Sequence, residues 1–460
     1  MLTFESGAYT RLTVFPKAEY GTMVQMELTG GEKRQVEQII GRRPVTFFLE
    51  SDREYVLRCD GATLIGAYLH GGVSLLKKGI QYLVGGTRTY KAHFAPPSGW
   101  VGGPSLFFRR DGMYHLFYLW NPFEETPDTI YWGHAAGENI CKLRPMPIAA
   151  MPPEELQLSD YRRGGAIGGT VDFADEIIRI LYTNCVTDTD KRLVYEGTME
   201  MKSRDMLYFS EPVPLEDGIA GYNPRMTGEK LLSCGTLHGK GVIYTHEKKD
   251  TIWKKNGVLY KDARTAYFHT GDFFPIGRTH ALIFEGADGI PRWTVGTYSE
   301  EKFRKRVDGI LDAGAFCMPC TYVDGDRRIL LGSIGQKAIS LPRYIGIKHG
   351  QICSSPVAEV TRMDWENTES TKRYVFTGNT DTFSACFSQF RLSAEKELFS
   401  VWSEEKIWQI QKAVKKIEVF VDGDIVEIFV NNGEWSVSFV TCGDIEKKNP
   451  VICGNWHVDM

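Results

Sequence analysis

The 460-residue sequence predicts an all-β protein. Apolar and polar side chains alternate along many short segments, which is the period of a half-buried strand. Aromatic residues make up 12% of the chain and there are 47 glycines, a composition typical of strands joined by tight turns. No long segment has the period of a helix. These features together predict short strands throughout the chain.

The first region, residues 1–88, has the pattern of a small β-domain. Residues 22–28 and 45–50 alternate between apolar and polar side chains. Glycine pairs at 30–31 and 71–72 mark turns between such segments. The pattern leaves open whether this domain packs on the next region or binds a ligand of its own.

The second region, residues 89–345, contains short strands separated by turns along its whole length. Examples are the apolar segments at 178–182, 242–244 and 328–332. Regularly spaced short strands are compatible with a sandwich, a barrel or a propeller. The strand pattern alone does not choose among these three.

The third region, residues 346–460, contains a strong hairpin signal. Residues 416–422 and 425–430 alternate on either side of a short turn. This pattern predicts more antiparallel sheet. One stretch, residues 404–415, has the spacing of a short amphipathic helix.

Residues 93–104 (HFAPPSGWVGGP) resemble the opening signature of glycoside hydrolase family 32, the invertases, levanases and inulinases. Six later segments resemble family motifs in the family's order, at residues 114–123, 132–134, 146–149, 341–343, 419–422 and 426–431. The resemblance implies a five-bladed β-propeller over residues 89–345 with its ligand site in the central funnel. It also implies a C-terminal β-sandwich over residues 346–460, so that residues 1–88 form a small N-terminal β-domain before the propeller.

The resemblance places the family's three acids at positions that hold none here. The nucleophile of the family's W-M-N-D-P-N-G signature matches Gly103, and the Asp of its R-D-P motif matches Asn223. The general acid of its E-C-P-D motif matches His269. Glycoside hydrolysis requires two carboxyl groups, about 5–5.5 Å apart in retaining enzymes. The sequence therefore leaves it open whether the chain is an enzyme, and predicts that it is not a standard retaining fructosidase.

The same matches give the candidate pocket residues. The aromatic members suit stacking on sugar faces or packing within blades, and the guanidinium of Arg225 suits a carboxylate or phosphate group or plain solvation. The predicted substrate-binding residues are Trp100, Gly102, Gly103, Trp120, Asn121, Trp132, Gly168, Tyr222, Asn223, Arg225 and His269.

Two residues are the candidates for any relocated catalysis. His269 can act as acid or base because histidine titrates near neutrality, or it can simply fill space or bind a hydroxyl group. Asp272 matches the last residue of E-C-P-D, and the alternative for it is a carboxylate that holds a turn. Glu124 and Glu125 are the nearest unassigned acids, with a solvated surface pair as the alternative.

A C-x-x-C sequence at residues 317–320 raises the question of a metal or redox site. No second C-x-x-C and no paired-histidine motif accompanies it. The sequence therefore favours two packed thiols, and we expect neither a metal nor a cofactor.

The composition excludes several classes of partner. The net charge is -4 with no basic block, so nucleic acid is not an expected partner. No apolar run approaches the roughly 20 residues of a spanning helix, so no membrane partner is expected. The first residues lack a secretory pattern and the ten cysteines suit reduced thiols, which together predict a cytoplasmic protein.

Three functional hypotheses remain open at this point, and the sequence leaves the oligomeric state undetermined. In the first, the protein binds a small carbohydrate or glycan in the funnel without the family's chemistry. In the second, it is a glycoside hydrolase or transferase with relocated catalytic groups, acting on a different glycoside. In the third, it is a structural module with an empty funnel.

Overall fold

The structure is a computed structural model in which strands account for 65% of the chain and helices for 3%. It describes residues 1–72, 75–85, 90–158, 161–173, 177–215, 219–249, 252–365, 371–378, 382–404, 406–443, 445, 450–454 and 456–459. The predicted all-β class is therefore confirmed. None of the helices in this described part is long and apolar enough to cross a membrane.

The chain packs as two compact units. The first unit comprises Met1–Thr89, Ala95–Leu231 and Glu247–Lys254. The second comprises Tyr90–Phe94, Leu232–His246 and Lys255–Met460. The domain boundaries expected at residues 88 and 345 stay predictions.

The first unit begins with eight strands and one short helix. These are β1 (Leu2–Glu5), β2 (Arg11–Lys17), β3 (Met23–Gly30), β4 (Lys33–Ile40), β5 (Val45–Phe48), β6 (Glu54–Asp60), β7 (Thr63–His70), α1 (Leu75–Lys78) and β8 (Gln81–Val84). The strands form two antiparallel sheets in the orders β1-β6-β3-β4 and β5-β2-β7-β8. Their alternate side chains, among them Leu12, Val24 and Leu69, form one buried core, as the alternating pattern predicts.

Two further groups of strands follow in the first unit. They are β9 (Trp100–Arg110), β10 (Met113–Asn121), β11 (Thr129–Gly137), β12 (Arg144–Ala150), α2 (Glu154–Leu158), β13 (Arg162–Asp172), β14 (Ile178–Asp188), β15 (Leu193–Ser203) and β16 (Val213–Pro214). They share one sheet in the order β16-β15-β14-β13-β11-β10-β9, with β12 on β11. Two parallel residue pairs, Thr129 with Gly164 and Ile130 with Gly165, join β11 to β13. Each group thus has four strands, as expected of a propeller blade.

A third group of four strands has its residues divided between the two units. These strands are β17 (Tyr222–Thr227), β18 (Lys230–Leu237), β19 (Lys240–Lys249) and β20 (Ile252–Asp262).

Two more groups lie in the second unit. Their elements are β21 (Phe268–Ile276), β22 (Thr279–Gly286), β23 (Pro291–Ser299), β24 (Lys302–Ile310), β25 (Phe316–Asp324), β26 (Arg327–Ile334), β27 (Ala338–Ile339), β28 (Arg343–Lys348), β29 (Gln351–Pro356) and α3 (Ala358–Thr361). The sheets have the orders β21-β22-β23-β24 and β25-β26-β28-β29, with β27 on β26. In the described part of the chain, β9 to β29 thus form five successive groups, the number that a five-bladed propeller requires.

The last ten strands form two sheets that pack on each other. They are β30 (Thr371–Thr377), β31 (Thr382–Cys386), β32 (Phe390–Glu395), β33 (Leu398–Ser403), β34 (Ile407–Gln411), β35 (Lys416–Asp422), β36 (Ile425–Val430), β37 (Trp435–Val440), β38 (Val451–Cys453) and β39 (His457–Asp459). The sheet orders are β37-β36-β35-β30-β39 and β34-β33-β32-β31-β38. Both sheets contribute to one core, which is the arrangement of a β-sandwich. The predicted hairpin is confirmed, since Asp422 pairs with Ile425 across the turn.

The helix predicted for residues 404–415 is wrong. Ile407–Gln411 is strand β34 and pairs with β33. Trp408 packs inward against Phe439, with ring centroids 5.0 Å apart. The inward side chains Trp408 and Ile410 are two residues apart, and this strand period decides the structure of so short a segment.

A buried ionic network centres on His93 in the second unit. The Nδ1 atom of His93 lies 2.9 Å from Oδ2 of Asp422, and its Nε2 atom lies 2.9 Å from Oε1 of Glu427. The Asp422 carboxylate also accepts three backbone N–H groups, from Lys91, Ala92 and His93. Residues 91–93 are therefore held on strand β35 by a single side chain.

Arg343 extends this network. Its Nε and Nη2 atoms donate to Oε2 of Glu427 at 3.1 and 2.6 Å, and Nη1 donates to Oδ2 of Asp312 at 3.0 Å. Its guanidinium carbon lies 4.3 Å from the ring centroid of Phe316 and 4.9 Å from that of Phe429. Arg343 is fully buried. Buried charges are tolerated only when paired and hydrogen-bonded, and here Glu427 on β36 and Asp312, between β24 and β25, supply the partners.

We predict that Arg343→Met destabilises the protein by about 3–5 kcal/mol, because it leaves the buried Asp312 carboxylate without its cation and Glu427 with His93 alone. Arg34→Met is the matched control. Arg34 pairs with Glu27 at 2.9 Å, but its side chain is 62% exposed, so its loss should cost less than about 1 kcal/mol. Denaturant unfolding of both variants measures the two losses. Equal losses of unfolding free energy in the two variants would contradict the stabilising role of the buried Arg343 network.

We further predict that the network confers a pH window of stability. Burial alone would lower the pKa of His93, but its hydrogen bonds to Asp422 and Glu427 raise it to about 9. The stabilisation is complete below the ordinary value of 6.5 and is lost as the pH rises towards 9, since the unfolded histidine gives up its proton first. The pKa values of Asp422 and Glu427 are lowered, because His93 and, for Glu427, Arg343 outweigh the effect of burial. Stability is therefore also lost in acid.

Unfolding free energies measured from pH 4 to 10 check this window. In His93→Gln the alkaline decline between about 6.5 and 9 should be absent. An unchanged alkaline slope in that variant would assign the decline to other groups.

Candidate functional site

The predicted site residues fall in both units. Those from Trp100 to Arg225 belong to the first unit, and His269 and Asp272 belong to the second.

A β-bulge shapes the start of β9. Leu119 pairs with Gly103 and Trp120 with Val101, so Gly102 is the extra residue. A Cβ atom on Gly102 would lie 2.3 Å from Cη2 of Trp100, so only glycine fits there. Gly103 has a φ of 152°, which residues with a side chain rarely adopt. The backbone at the expected nucleophile position thus suits glycine.

Gly168 and Asn223 are in contact. A Cβ atom on Gly168 would lie 2.7 Å from Oδ1 of Asn223. Asn223 is buried, has a φ of 52° and donates its backbone N–H to Oγ1 of Thr183 at 2.9 Å. The Asn223 amide therefore borders the space that a side chain at position 168 would need. The structure brings these two predicted residues together.

Arg225 and Trp132 meet the same short segment of β13. Arg225 is buried, and its Nη1 atom donates to the carbonyl of Gly169 at 3.0 Å. Trp132 has no exposed surface, and its ring centroid lies 5.2 Å from that of Tyr182. A Cβ atom on Gly169 would lie 2.7 Å from Trp132. Trp132 thus makes the blade-packing contacts that the sequence left as its alternative role.

The remaining predicted residues of the first unit differ in exposure. Trp120 is buried and donates its Nε1 hydrogen to the carbonyl of Ser98 at 2.9 Å. Asn121 is buried and holds its own turn. Its side-chain N–H donates to the carbonyl of Thr126, and its Oδ1 atom accepts the backbone N–H of Phe123. Trp100 is 7% exposed and Tyr222 is half-buried. Their assignment to ligand binding stays a prediction.

Of the two unassigned acids, Glu124 is not a simply solvated residue. Its Oε1 atom lies 2.6 Å from Nη1 of Arg42 and 2.9 Å from Nζ of Lys17. Glu125 is exposed, and its Oε1 atom accepts the backbone N–H of Gly99 at 3.3 Å. These contacts tie both acids to neighbouring segments of the first unit.

His269 lies at an irregularity near the start of β21. Phe268 pairs with Gly286 and Thr270 with Glu285, so His269 is the extra residue. Its ring packs edge-on against Tyr267, with centroids 5.1 Å apart. Burial lowers the pKa of His269, against an opposing effect of Asp288. The imidazole is therefore mostly neutral at neutral pH, which suits hydrogen bonding better than proton donation.

Asp272 is buried three residues further along β21. Its Oδ2 atom accepts the backbone N–H of Thr321 at 2.6 Å, which joins β21 to β25. Burial lowers the pKa of Arg328, and the charge of Asp272 opposes that lowering. These contacts match the structural role that the sequence left open for Asp272. Its catalytic role stays a prediction.

Glu285 is a candidate that the sequence reasoning missed. It lies on β22 opposite Thr270, is buried, and accepts the backbone N–H of Met318 at 2.5 Å. Burial raises its pKa to about 8, with a further contribution from Asp288 and an opposing one from the Met318 hydrogen bond. The carboxyl group therefore stays protonated at neutral pH. A single glutamate ending the apolar run at residues 281–284 was the available signal.

The C-x-x-C sequence lies on β25. Cys320 is buried, whereas Cys317 is half-buried, and its thiol pKa is raised by burial and by the neighbouring Glu285. A thiol with a raised pKa is a poor nucleophile and a poor metal ligand. Among the described residues, no group of three His, Cys, Asp or Glu could hold a metal ion.

The sequence is similar to those of known glycoside hydrolases. The model of the glycosyl hydrolases family 32 N-terminal domain matches residues 93–213. A sucrose-6-phosphate hydrolase from Salmonella typhimurium is 24% identical over 413 residues, covering 75% of this chain and 87% of the relative. An acid β-fructofuranosidase from Solanum lycopersicum is 26% identical, covering 53% of this chain and 45% of the relative.

The family resemblance is confirmed. Solved structures agree with it at the level of the fold. A glycoside hydrolase family 32 protein from Bifidobacterium adolescentis superposes with a TM-score of 0.82 at 17% identity, covering 100% of this chain and 98% of that one. The Bombyx mori β-fructofuranosidase BmSUC1 gives 0.68 at 17% identity, covering 80% and 92%. These enzymes have a β-propeller and a β-sandwich, so the predicted fold class is confirmed as well.

We predict that Gly168→Ala displaces the Asn223 amide, because the added Cβ atom would lie 2.7 Å from its oxygen. Overpacking of this kind costs typically about 1–3 kcal/mol. Gly257→Ala is the control, since a Cβ atom there meets nothing nearer than 3.9 Å. Thermal unfolding and the NMR signals of the Asn223 amide measure both effects. An unshifted Asn223 amide in Gly168→Ala would contradict the contact.

Proposed function

We propose that this chain is a carbohydrate-binding protein of the β-fructofuranosidase type that does not cleave its ligand by the family's retaining mechanism. Gly103 carries the proposal. It stands where the resemblance expects a nucleophilic carboxylate, and its φ of 152° favours a residue without a side chain. A retaining hydrolase needs that carboxylate to attack the sugar and a second carboxyl group to protonate the leaving oxygen.

The other two acid positions support the same proposal. Asn223 supplies a neutral amide, and His269 supplies an imidazole that burial keeps mostly neutral. Both groups can hydrogen-bond to sugar hydroxyls, but neither supplies the negative charge that an oxocarbenium-like transition state requires. Groups of this kind can bind a sugar without promoting its cleavage.

The ligand class is inferred from the relatives. They include sucrose-6-phosphate hydrolases and β-fructofuranosidases, and a variant of the Bombyx enzyme has been solved with sucrose. We therefore propose a fructoside for this chain. The guanidinium of Arg225 is compatible with a phosphorylated or acidic fructoside.

Glu285 favours a second candidate, a glycoside hydrolase or transferase with relocated groups. Its carboxyl group, with a pKa of about 8, has the protonation state that a general acid requires at neutral pH. It lies on the strand paired with β21, opposite the neighbour of His269. This candidate would act on a different glycoside from that of the family.

Ligand-observed NMR with the wild-type protein tests both candidates. The panel contains sucrose, sucrose 6-phosphate, 1-kestose and several non-fructoside glycosides. We expect saturation transfer to a fructoside and no new anomeric signals over hours. His269→Gln should weaken that binding, whereas His349→Gln, at an exposed turn, should not.

New anomeric signals would replace the first candidate by the second. Loss of those signals in Glu285→Gln would then assign the proton donor, and their persistence would exclude Glu285. No saturation transfer to any sugar would favour a structural module instead. The double variant Gly103→Asp/His269→Glu should not hydrolyse sucrose efficiently, because the backbone at 103 and the neighbours at 102, 168 and 223 remain unlike the family's; efficient hydrolysis would contradict the proposal.

A further inference from the structure

A groove with a volume of about 840 Å³ lies in the first unit. Its walls include Arg11, Arg43, Gln157, Asn184 and Tyr208, none of which belongs to the predicted site. Residues on its rim, such as Met151 and Glu211, are exposed, so the groove opens to solvent. The volume falls within the range of small-molecule sites.

A hydrogen-bonded chain fixes the two sides of the groove. Oγ1 of Thr46 lies 2.7 Å from Oγ1 of Thr13, which lies 2.8 Å from Nε2 of His70. Nδ1 of His70 lies 3.3 Å from the hydroxyl of Tyr208. Burial, with a contribution from Arg11, lowers the pKa of His70 to about 3, so the ring stays neutral. Thr46 and Tyr208 both line the groove, so hydrogen bonds through buried side chains connect its two sides.

Arg11 offers donors to this groove. Its guanidinium lies over the ring of Tyr208, 4.2 Å from the centroid, and 5.5 Å from the centroid of Phe48. No carboxylate among the described residues pairs with it. Its position is set by aromatic contacts, so its N–H groups remain available to a ligand.

Two buried amides in the wall have unused acceptors. Asn184 is 7% exposed and Gln157 is 6% exposed. In the described part of the chain, Oδ1 of Asn184 and Oε1 of Gln157 have no hydrogen-bond partner. The Nε2 group of Gln157 donates to the carbonyl of Pro152 at 2.8 Å, which holds that side chain in place. Buried acceptors without partners are uncommon in folded proteins, and both of these would be satisfied by O–H donors.

We infer that this groove is a second binding site, for a neutral oligosaccharide. Sugar hydroxyls donate to the two amide oxygens and accept from Arg11, and Tyr208 offers an aromatic ring. The charged lining consists of Arg11 and Arg43 with Glu37, Glu154 and Glu211, so acidic side chains outnumber basic ones by one. This balance disfavours a phosphorylated sugar. The inference does not depend on ligand binding at Gly103, Asn223 or His269.

Nystose and maltotetraose, each titrated into the full-length protein by calorimetry, test the inference. Hydrogen exchange with and without each probe locates the contact. We expect protection of residues 148–157 and 208–212 by at least one probe. Arg11→Gln and Asn184→Leu should each weaken that binding by about tenfold, since one hydrogen bond to the ligand is lost in each. His269→Gln should leave the protection of these groove segments unchanged.

Two further measurements separate a ligand role from a structural one. Asn184→Leu removes an unsatisfied buried group, so its melting temperature should stay equal or rise while binding falls. Arg109→Gln is the matched control for Arg11→Gln, because Arg109 also lies over a ring, that of Tyr114 at 5.0 Å, but outside the groove. It should not affect binding.

Three outcomes would overturn the inference. The first is that neither tetrasaccharide protects the groove at millimolar concentration, which would mean that the groove binds neither sugar. The second is that binding survives both groove variants. The third is that sucrose 6-phosphate binds the groove more tightly than either neutral probe, which would reject the ligand class.

Discussion

The second unit depends on one buried set of charges, in which His93 and Arg343 lie among Asp312, Asp422 and Glu427. Each carboxylate accepts hydrogen bonds from a buried cation or from backbone N–H groups, so the arrangement offsets the cost of removing charges from water. Because its members come from residues far apart in the sequence, the network forms only when the segment at 91–93 and strands β28, β35 and β36 are all in register. The network therefore favours the correct register of these segments as well as stabilising the fold.

The same network explains why the fold could be recognised although Gly103, Asn223 and His269 stand where the resemblance expects acids. Four of the segments that carry the resemblance, at 93–104, 341–343, 419–422 and 426–431, contribute His93, Arg343, Asp422 and Glu427. These residues hold strands together and do not need to touch a ligand. The acid positions contribute nothing to this network, so glycine at 103, asparagine at 223 and histidine at 269 leave it intact. The residues of this network are therefore distinct from the candidate site residues.

Local sequence patterns predicted those elements whose structure depends on neighbouring residues. The hairpin of β35 and β36 followed from alternation and a two-residue turn, whereas residues 404–415 were wrongly assigned because a short apolar pattern fits both periods until its packing partner, Phe439, is known. The bulge at Gly102 depends on the register of β9 against β10. The protonated state of Glu285 depends on burial by strands distant in sequence. The bulge has no local signature, and the only local signal for Glu285 is its place at the end of the apolar run at residues 281–284.

The proposed role in binding rests on the protonation states of the candidate groups. Gly103 has no titratable group, Asn223 is neutral, His269 is mostly neutral and Glu285 is mostly protonated at neutral pH. The Asp272 carboxylate is engaged with the backbone of Thr321. Cleavage of a glycoside develops positive charge on the sugar, which a carboxylate must stabilise. Neutral donors and acceptors stabilise the hydroxyls of the intact sugar equally in the ground state and the transition state, and uniform binding of this kind does not accelerate a reaction.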